Sequence, residues 1–572
     1  MTETSSVCPQ QTAKRPRYRY LRLSFWLGAA AMGLIQAWVS RFEMNPDGIS
    51  YLDIGDKVWS GDWAAMVNGY WSPLYGLFLG LGLKILKPSS YWEFPAVHLV
   101  NFLIYLLALV GFDWLLREFI KAKKNEREAV LPDSLWLAIG YLLFVSTSLI
   151  FITTGVVSPD MCVAACVYLD AALLLRIREN PQRKVNFILL GLTLGFGYLS
   201  KTVMFPLAFV ILAVTFVTAR GWRRTNRRVF LAFVIFLVIS APMVLSLSWS
   251  KRRLTFGDSG KLNYAWEVNQ IPKYRHWQGD PPGSGVPKHP TRKVFDFPNV
   301  YEFAQPFSAS YAPWFNPSYW YEGLETRFVL RRQWDALERW IPFSLNGLVE
   351  LSGGLFAMLF VLLLANRRRW SLRKMVDSYG GLFLISIVAL FMYSMVFVST
   401  RYLAAFVVLL WLCLFSGLRA GRAVSLRWFD NLAVWLAFLF VFSAVRPMPM
   451  IETARNLIYR TPYPEPTQWQ IANGLNQLGV QRGEKVASIG DTHYAQWYRL
   501  AHVRVVAEVP LGESGNMAFW KAEPAVKEQV LRHFSEAGAR AVVAYPAPRN
   551  DKMDGWQKIA ETGAYVYFLR DP

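Results

Sequence analysis

Apolar residues come in this chain in blocks of roughly 17–25, the length of helix that crosses the hydrocarbon core of a bilayer. In lipid every backbone amide must find its partner within the chain, so repeated blocks of that length restrict the fold to a polytopic α-helical membrane protein. The composition agrees, with 53% hydrophobic and 18% charged residues over 572 positions. The first block, residues 21–40, follows a basic tail containing Lys14, Arg15, Arg17 and Arg19. It is too long for a signal-peptide core and no small-residue cleavage site follows it, so it is expected to stay as a membrane helix.

The net charge of +21 is not spread as a stripe that would track nucleic acid. The basic residues gather in short clusters between apolar blocks: the tail, Lys121–Lys124, Arg176–Lys184, Arg220–Arg228, Arg367–Lys374 and Arg419–Arg427. By the positive-inside rule these clusters are cytoplasmic, which excludes a nucleic-acid binder and sets a topology of about 11–13 spans. The expected organisation is a cytoplasmic tail (1–21), an N-terminal membrane module (22–249) with a first outer loop at 41–71, and a large extracytoplasmic loop (250–345). C-terminal membrane helices (346–446) and an extracytoplasmic α/β domain (447–572) follow. Within the first module, residues 187–200 and 203–218 read as a hairpin with Ser200, Lys201 and Thr202 at its outer tip.

Two stretches resist this scheme. Residues 72–88 and 95–118 are both apolar, yet only one net crossing fits between outer Asp47 and cytoplasmic Lys121, so 72–88 is expected to be re-entrant or surface-lying. Lys251, Arg252 and Arg253 follow an outward span, where basic residues are sparse. They are either a tolerated exception or a contact for an anionic headgroup or lipid-linked phosphate.

The C-terminal region changes character. Helices are expected at 467–478 and 524–537, and strands at 485–489, 503–506, 541–544 and 565–569. No glycine-rich phosphate loop follows a strand, so nucleotide binding has no support. Cys8, Cys162, Cys166 and Cys413 imply no disulfide framework, and Cys162 and Cys166 read as small packing residues on one helix face.

Two acidic signatures remain, Asn45-Pro46-Asp47-Gly48 and Ser158-Pro159-Asp160-Met161, both at helix starts on the face opposite the N-terminus. The bland reading is capping, with Asp47 at an N-cap accepting from the Ser50 amide and Ser158 capping a helix that opens with Pro159. The functional reading follows from the cost of a carboxylate beside hydrocarbon. A sugar held on a phosphate already has a good leaving group. What it needs is a base for the acceptor hydroxyl and cations for the departing phosphate. Asp47 suits the base. Asp160 suits orienting the acceptor, or joining Asp47 around a divalent metal through oxygen ligands. Lys201 and Arg401 are candidate phosphate partners, with Lys251 and Arg252 behind them and Tyr51 and Tyr402 alongside. Asp53 and Asp56 are expected on the solvated side of an amphipathic surface helix. The aromatic run Tyr301–Tyr321 reads either as an interfacial belt or as a sugar-stacking platform, and His276 and His289 as solvated loop residues.

At these residues the chain resembles the GT-C superfamily of membrane glycosyltransferases, in the style of protein O-mannosyltransferases and the lipid A aminoarabinose transferase. The resemblance is carried by PDGISYLDIGDKVWSGDW, SPLYGLFLG, VVSPDMCVAA, GYLSKTVMFP and STRYLAAFVVLLW, in family-like order over residues 1–420. It implies a polyprenyl-phosphate sugar donor, a protein, lipid or polysaccharide acceptor, inversion at the anomeric carbon, and the first-loop Asp47 as base with Asp160 as the later acidic residue. Two departures stand out. Relatives often carry adjacent acidic residues in the first loop, where Gly48 follows Asp47. They also carry a basic residue where this chain has Asn68-Gly69-Tyr70-Trp71. The competing class is a transporter or flippase of lipid-linked sugars, which calls for inverted repeats and ionisable positions near mid-membrane.

Overall fold

A computed structural model describes residues 14–124, 131–219, 222–273, 276–303, 308–346, 370–418, 466–511, 516–548 and 554–569. The expected spans at 346–366 and 429–446 lie almost wholly outside these residues. The protein is a mostly helical, multi-pass membrane protein with a C-terminal sheet. Four described helices are long and apolar enough to cross a bilayer, covering Ser90–Lys123, Asp133–Ile152, Asn226–Lys251 and Leu372–Ser394. Shorter apolar helices lie among them.

In chain order the principal helices are α1 (Lys14–Val39), α2 (Pro46–Trp59), α3 (Pro73–Leu86), α4 (Glu93–Lys124) and α5 (Asp133–Ser146). Next come α6 (Asp160–Glu179), α7 (Lys184–Ser200), α8 (Met204–Thr218), α9 (Trp222–Lys251), α10 (Leu372–Ser394) and α11 (Thr400–Ser416). On α4, Leu99, Leu103, Leu107 and Val110 form an exposed apolar stripe, while Val97, Ile104, Tyr105, Ala108 and Phe112 turn inward. A helix that is apolar on its outward face as well as its inward one is suited to lipid, not water. The expected hairpin is α7 and α8, with Lys201 between them.

The segment at 72–88 is the 14-residue helix α3, short for a span. It lies across α2 with almost no side-chain layer between them. A Cβ on Gly55 would sit 2.4 Å from the Gly76 carbonyl oxygen and 2.9 Å from Gly80. These glycines let the backbones touch, as small residues do where membrane helices pack closely.

The C-terminal sheet has seven strands in the order β1-β2-β4-β3-β5-β7-β6. They are β1 (Arg292–Asp296), β2 (Asn299–Glu302), β3 (Lys485–Gly490), β4 (Arg504–Pro510), β5 (Ala541–Tyr545), β6 (Gln557–Ile559) and β7 (Ala564–Phe568). β3 runs parallel to both β4 and β5, and the remaining pairings are antiparallel. The helices α12 (Thr467–Gln477) and α13 (Pro524–Glu536) match the expected ones. What the sequence did not reveal is that β1 and β2 come from the large loop at 250–345 and extend the C-terminal sheet, with Tyr301 opposite Glu508.

Candidate active site

Asp47 and Asp160 meet because the turn before α6 is clasped to the start of α2. The Asn45 side chain donates to the Val157 carbonyl at 3.2 Å and accepts from the Val157 amide at 2.9 Å. The approach is close enough that a Cβ on Gly48 would lie 2.7 Å from the Val157 side chain. A side chain at position 48 would need Met44 and Val157 to shift. On its other side the turn is tied to α1 and α4, since Gln36 accepts from the Thr154 amide at 2.8 Å and His98 bonds the Thr154 carbonyl at 3.0 Å.

The capping expectations need correction. Asn45 occupies the N-cap of α2 and Pro46 opens the helix, as proline prefers. Asp47 is therefore inside the first turn, and its Oδ1 accepts from Trp314 Nε1 at 3.0 Å. In α6 the helix begins at Asp160 with Pro159 at the N-cap, and the Ser158 hydroxyl donates to Asp160 Oδ2 at 3.0 Å.

Around these carboxylates runs a chain of alternating charge. Arg401 Nη2 lies 3.5 Å from Asp47 Oδ2 and its Nε 3.3 Å from Asp160 Oδ2. Lys201 donates to Asp160 Oδ1 at 2.5 Å and stands 3.3 Å above the Tyr402 ring. Asp160 is 3% exposed and Asp47 26%, so only Asp47 keeps a face open. All of these, with Tyr51, line one cavity of about 440 Å³. Its remaining wall is largely apolar, including Pro206, Phe256, Met392, Val396 and Phe397.

Lys251 and Arg252 do not line that cavity. Lys251 is held by Glu322 at 2.6 Å, the Ser318 carbonyl at 3.1 Å and Asp258 at 3.6 Å, while Arg252 is exposed. Their stretch braces the loop that supplies another cation, Lys261, to the cavity wall. Burial, and then the Arg253 guanidinium, hold the Lys261 ammonium below its usual range. Sequence reasoning missed Lys261, and nothing in its local pattern singles it out. The aromatic run was flagged, but the role of Trp314 depends on a partner far away in the chain.

Two other expectations fail. Asp53 is 5% exposed, not solvated. It accepts from the Ser310 amide and hydroxyl at 2.8 and 2.7 Å and pairs with Arg499. His276 and His289 are not solvated either. His276 meets Glu508 at 2.5 Å and stacks on Tyr301, and His289 is buried against Trp277 and Thr291.

A divalent ion at Asp47 and Asp160 meets an unsuitable donor set. Arg401 bridges the two carboxylates, Lys201 adds a second cation at Asp160, and among the described residues no group of three or more His, Cys, Asp or Glu side chains stands together. The guanidinium already supplies the positive charge an ion would bring.

No protein-family model matches the sequence, and no curated protein matches it. Solved structures do. The oligosaccharyltransferase of Archaeoglobus fulgidus, tethered with an acceptor peptide, aligns at a TM-score of 0.50 and 14% identity over 93% of this chain and 69% of that one. The same protein in complex with Zn and sulfate aligns at 0.49 and 14% over 92% and 67%. ArnT from Cupriavidus metallidurans, bound to undecaprenyl phosphate, aligns at 0.48 and 14% over 97% and 98%. At such identity the likeness is one of fold alone: the chain is folded like the Archaeoglobus fulgidus oligosaccharyltransferase.

Proposed function

We propose that the protein transfers a sugar from a polyprenyl-phosphate donor to an acceptor hydroxyl, at the membrane face opposite its N-terminus. The observation that carries this reading is the single cavity in which two distant carboxylates meet two cations under an apolar wall. A lipid-linked sugar phosphate has those two requirements, an apolar groove for the chain and fixed cations for the phosphate. The basic clusters of the sequence support the face, and put the C-terminal domain on the same side.

Asp47 is the general base, because it alone of the two carboxylates has an open side. It takes the proton from the acceptor hydroxyl as that oxygen attacks the anomeric carbon. The carbon–oxygen bond to phosphate breaks from the opposite face, which inverts the centre, and the electron pair leaves on the phosphate. Arg401, Lys201 and Lys261 stabilise the growing charge there. Asp160, enclosed by Lys201, Arg401 and Ser158, holds the two cations in place. The cavity's charges suit this sequence of events: the phosphate gains a negative charge as Asp47 loses one by protonation. No step runs through a metal.

The transporter alternative draws on one deep ionisable group, Asp170 of α6, which is buried against the Thr193 hydroxyl. Asp170 does not line the cavity, so it offers no route across.

The test is transfer by purified protein in liposomes from a synthetic polyprenyl-phosphate sugar. Asp47→Asn keeps a side chain able to accept from Trp314 and is expected to lose about 10²–10⁴-fold in turnover. Undiminished turnover in that variant would remove Asp47 from the chemistry.

A further inference from the structure

A second ionic cluster lies beside α2 and is used by no step above. Its centre is Arg499, in the short helix Trp497–Leu500 of the C-terminal domain, 5% exposed. Each guanidinium nitrogen meets a different carboxylate: Nε to Glu93 at 2.6 Å, Nη1 to Asp53 at 2.9 Å, Nη2 to Asp56 at 2.6 Å. Asp53 and Asp56 belong to α2, the helix that carries Asp47, and Glu93 opens α4. The planar fork of arginine suits such multiple binding, and lysine cannot reproduce it.

Two further contacts make the cluster a clamp. Gln496, beside the same short helix, donates to the Met44 carbonyl at 2.7 Å, just before α2 begins. The C-terminal domain therefore grips α2 on both sides of Asp47. Asp53 in turn takes both the amide and hydroxyl of Ser310, in the segment that leads to Trp314. Trp314 is the residue that donates to Asp47, and its ring packs edge-on against His493 of the C-terminal domain at 4.7 Å. The helix bearing the base and the loop bearing its hydrogen-bond donor are thus fastened to one another through Asp53, and to the C-terminal domain through Arg499.

We infer that Arg499 is a positioning residue, through which the C-terminal domain sets the orientation of Asp47 against Trp314 and the cavity. The inference rests on the glycosyltransferase reading for its effect on turnover, but not for its effect on α2. Dense packing transmits a displacement at the clamp to Asp47, and misplacement by about an ångström is enough to cost on the order of 10²-fold in rate.

The competing reading is that Arg499 merely neutralises buried carboxylates. Removing it alone does not separate the two, because Arg499→Met leaves Asp53 and Glu93 unpaired and destabilises the protein. The decisive variant combines Arg499→Met with Asp53→Asn and Glu93→Gln, which removes the buried charges together. Three measurements on full-length protein in detergent or liposomes are read: melting temperature, kcat and donor KM, and hydrogen–deuterium exchange of residues 45–59. The expected result is a melting temperature near wild type, kcat lower by 10-fold or more with donor KM within about twofold, and faster exchange across α2. Recovery of wild-type kcat in the triple variant overturns the proposal, as does exchange across α2 that matches wild type. Arg499→Lys supplies a second check, since it keeps the charge but loses the three-way grip. It is expected to lower kcat, and full activity in it also overturns the proposal. If the wild-type protein itself transfers no sugar, the glycosyltransferase reading fails, and the clamp still stands or falls on the exchange of α2.

Discussion

Two ionic clusters flank α2, and they are built to opposite specifications. In the cavity, Arg401 reaches its two carboxylates at 3.3 and 3.5 Å, and Asp47 keeps 26% of its side chain exposed. At the clamp, Arg499 reaches three carboxylates at 2.6, 2.6 and 2.9 Å, with its own side chain 6% exposed. In the first cluster Lys201 is bonded tightly to Asp160, but Arg401 is held at longer range and faces the apolar-walled cavity, so Arg401 retains the capacity to bind something else. The second is saturated, with Arg499, Asp53 and Glu93 closed off from solvent and Asp56 reaching the surface. A site must hold charge in readiness, whereas a fastening must leave none unspent, and distance and exposure separate the two roles.

That contrast can be broken most sharply at Arg401. Arg401→Gln removes the cation shared by Asp47 and Asp160, and turnover from a lipid-phosphate donor is expected to fall by about 10²–10³-fold. A variant with normal kcat would move Arg401 from the loose class to the structural one. Trp314→Phe keeps the ring but removes the hydrogen bond to Asp47 Oδ1. The expected outcome is a fall of about 10-fold in turnover, because Asp47 loses the donor that orients it, and turnover equal to wild type would detach Trp314 from the base.

The saturated cluster makes a prediction about stability. The His502 imidazole, beside Glu93, is pushed down to about 4, first by burial and then by the Arg499 guanidinium. Its ordinary value is 6.5, so between those two pH values the unfolded chain binds a proton that the folded chain refuses. Stability contributed here is therefore lost as pH falls from about 6.5 toward 4. His502 has a positive φ of 55°, which asparagine tolerates, so His502→Asn is the suitable variant. A smaller drop in melting temperature over that pH range is expected in it than in wild type, and an equal drop would assign the acid sensitivity elsewhere. The smallest effect concerns metal. Because Arg401 and Lys201 already offset the cavity carboxylates, chelation with EDTA is expected to leave turnover unchanged. Activity lost on chelation and restored by a divalent ion would show that the cavity cluster opens to admit one.

How much of this was legible in the sequence follows from where each residue's partners lie. The helices could be read from hydrophobic block lengths, and the positions of Lys201 and Arg401 from span ends, because both depend on local pattern. The N-cap of α2 was misassigned to Asp47, because the acidic side chain drew the reading away from Asn45, the residue before the helix-opening Pro46. The burial of Asp53 was not legible, because helical periodicity assigned it to water while Ser310 and Arg499, far along the chain, assigned it to the interior. Trp314 and Lys261 were hidden for the same reason. So was the fate of Lys251, an outward cation that Glu322 had already claimed.

The pairing of β2 with β4 has a consequence for how the protein is made. β1 and β2 are synthesised well before β4 exists, with further apolar segments still to be inserted between them. Until the last strands emerge, that early hairpin waits with an unmatched edge, the kind of surface that invites association with the wrong strand. Assembly of the sheet is thus a late event, and a chain cut short after its membrane helices leaves the hairpin stranded.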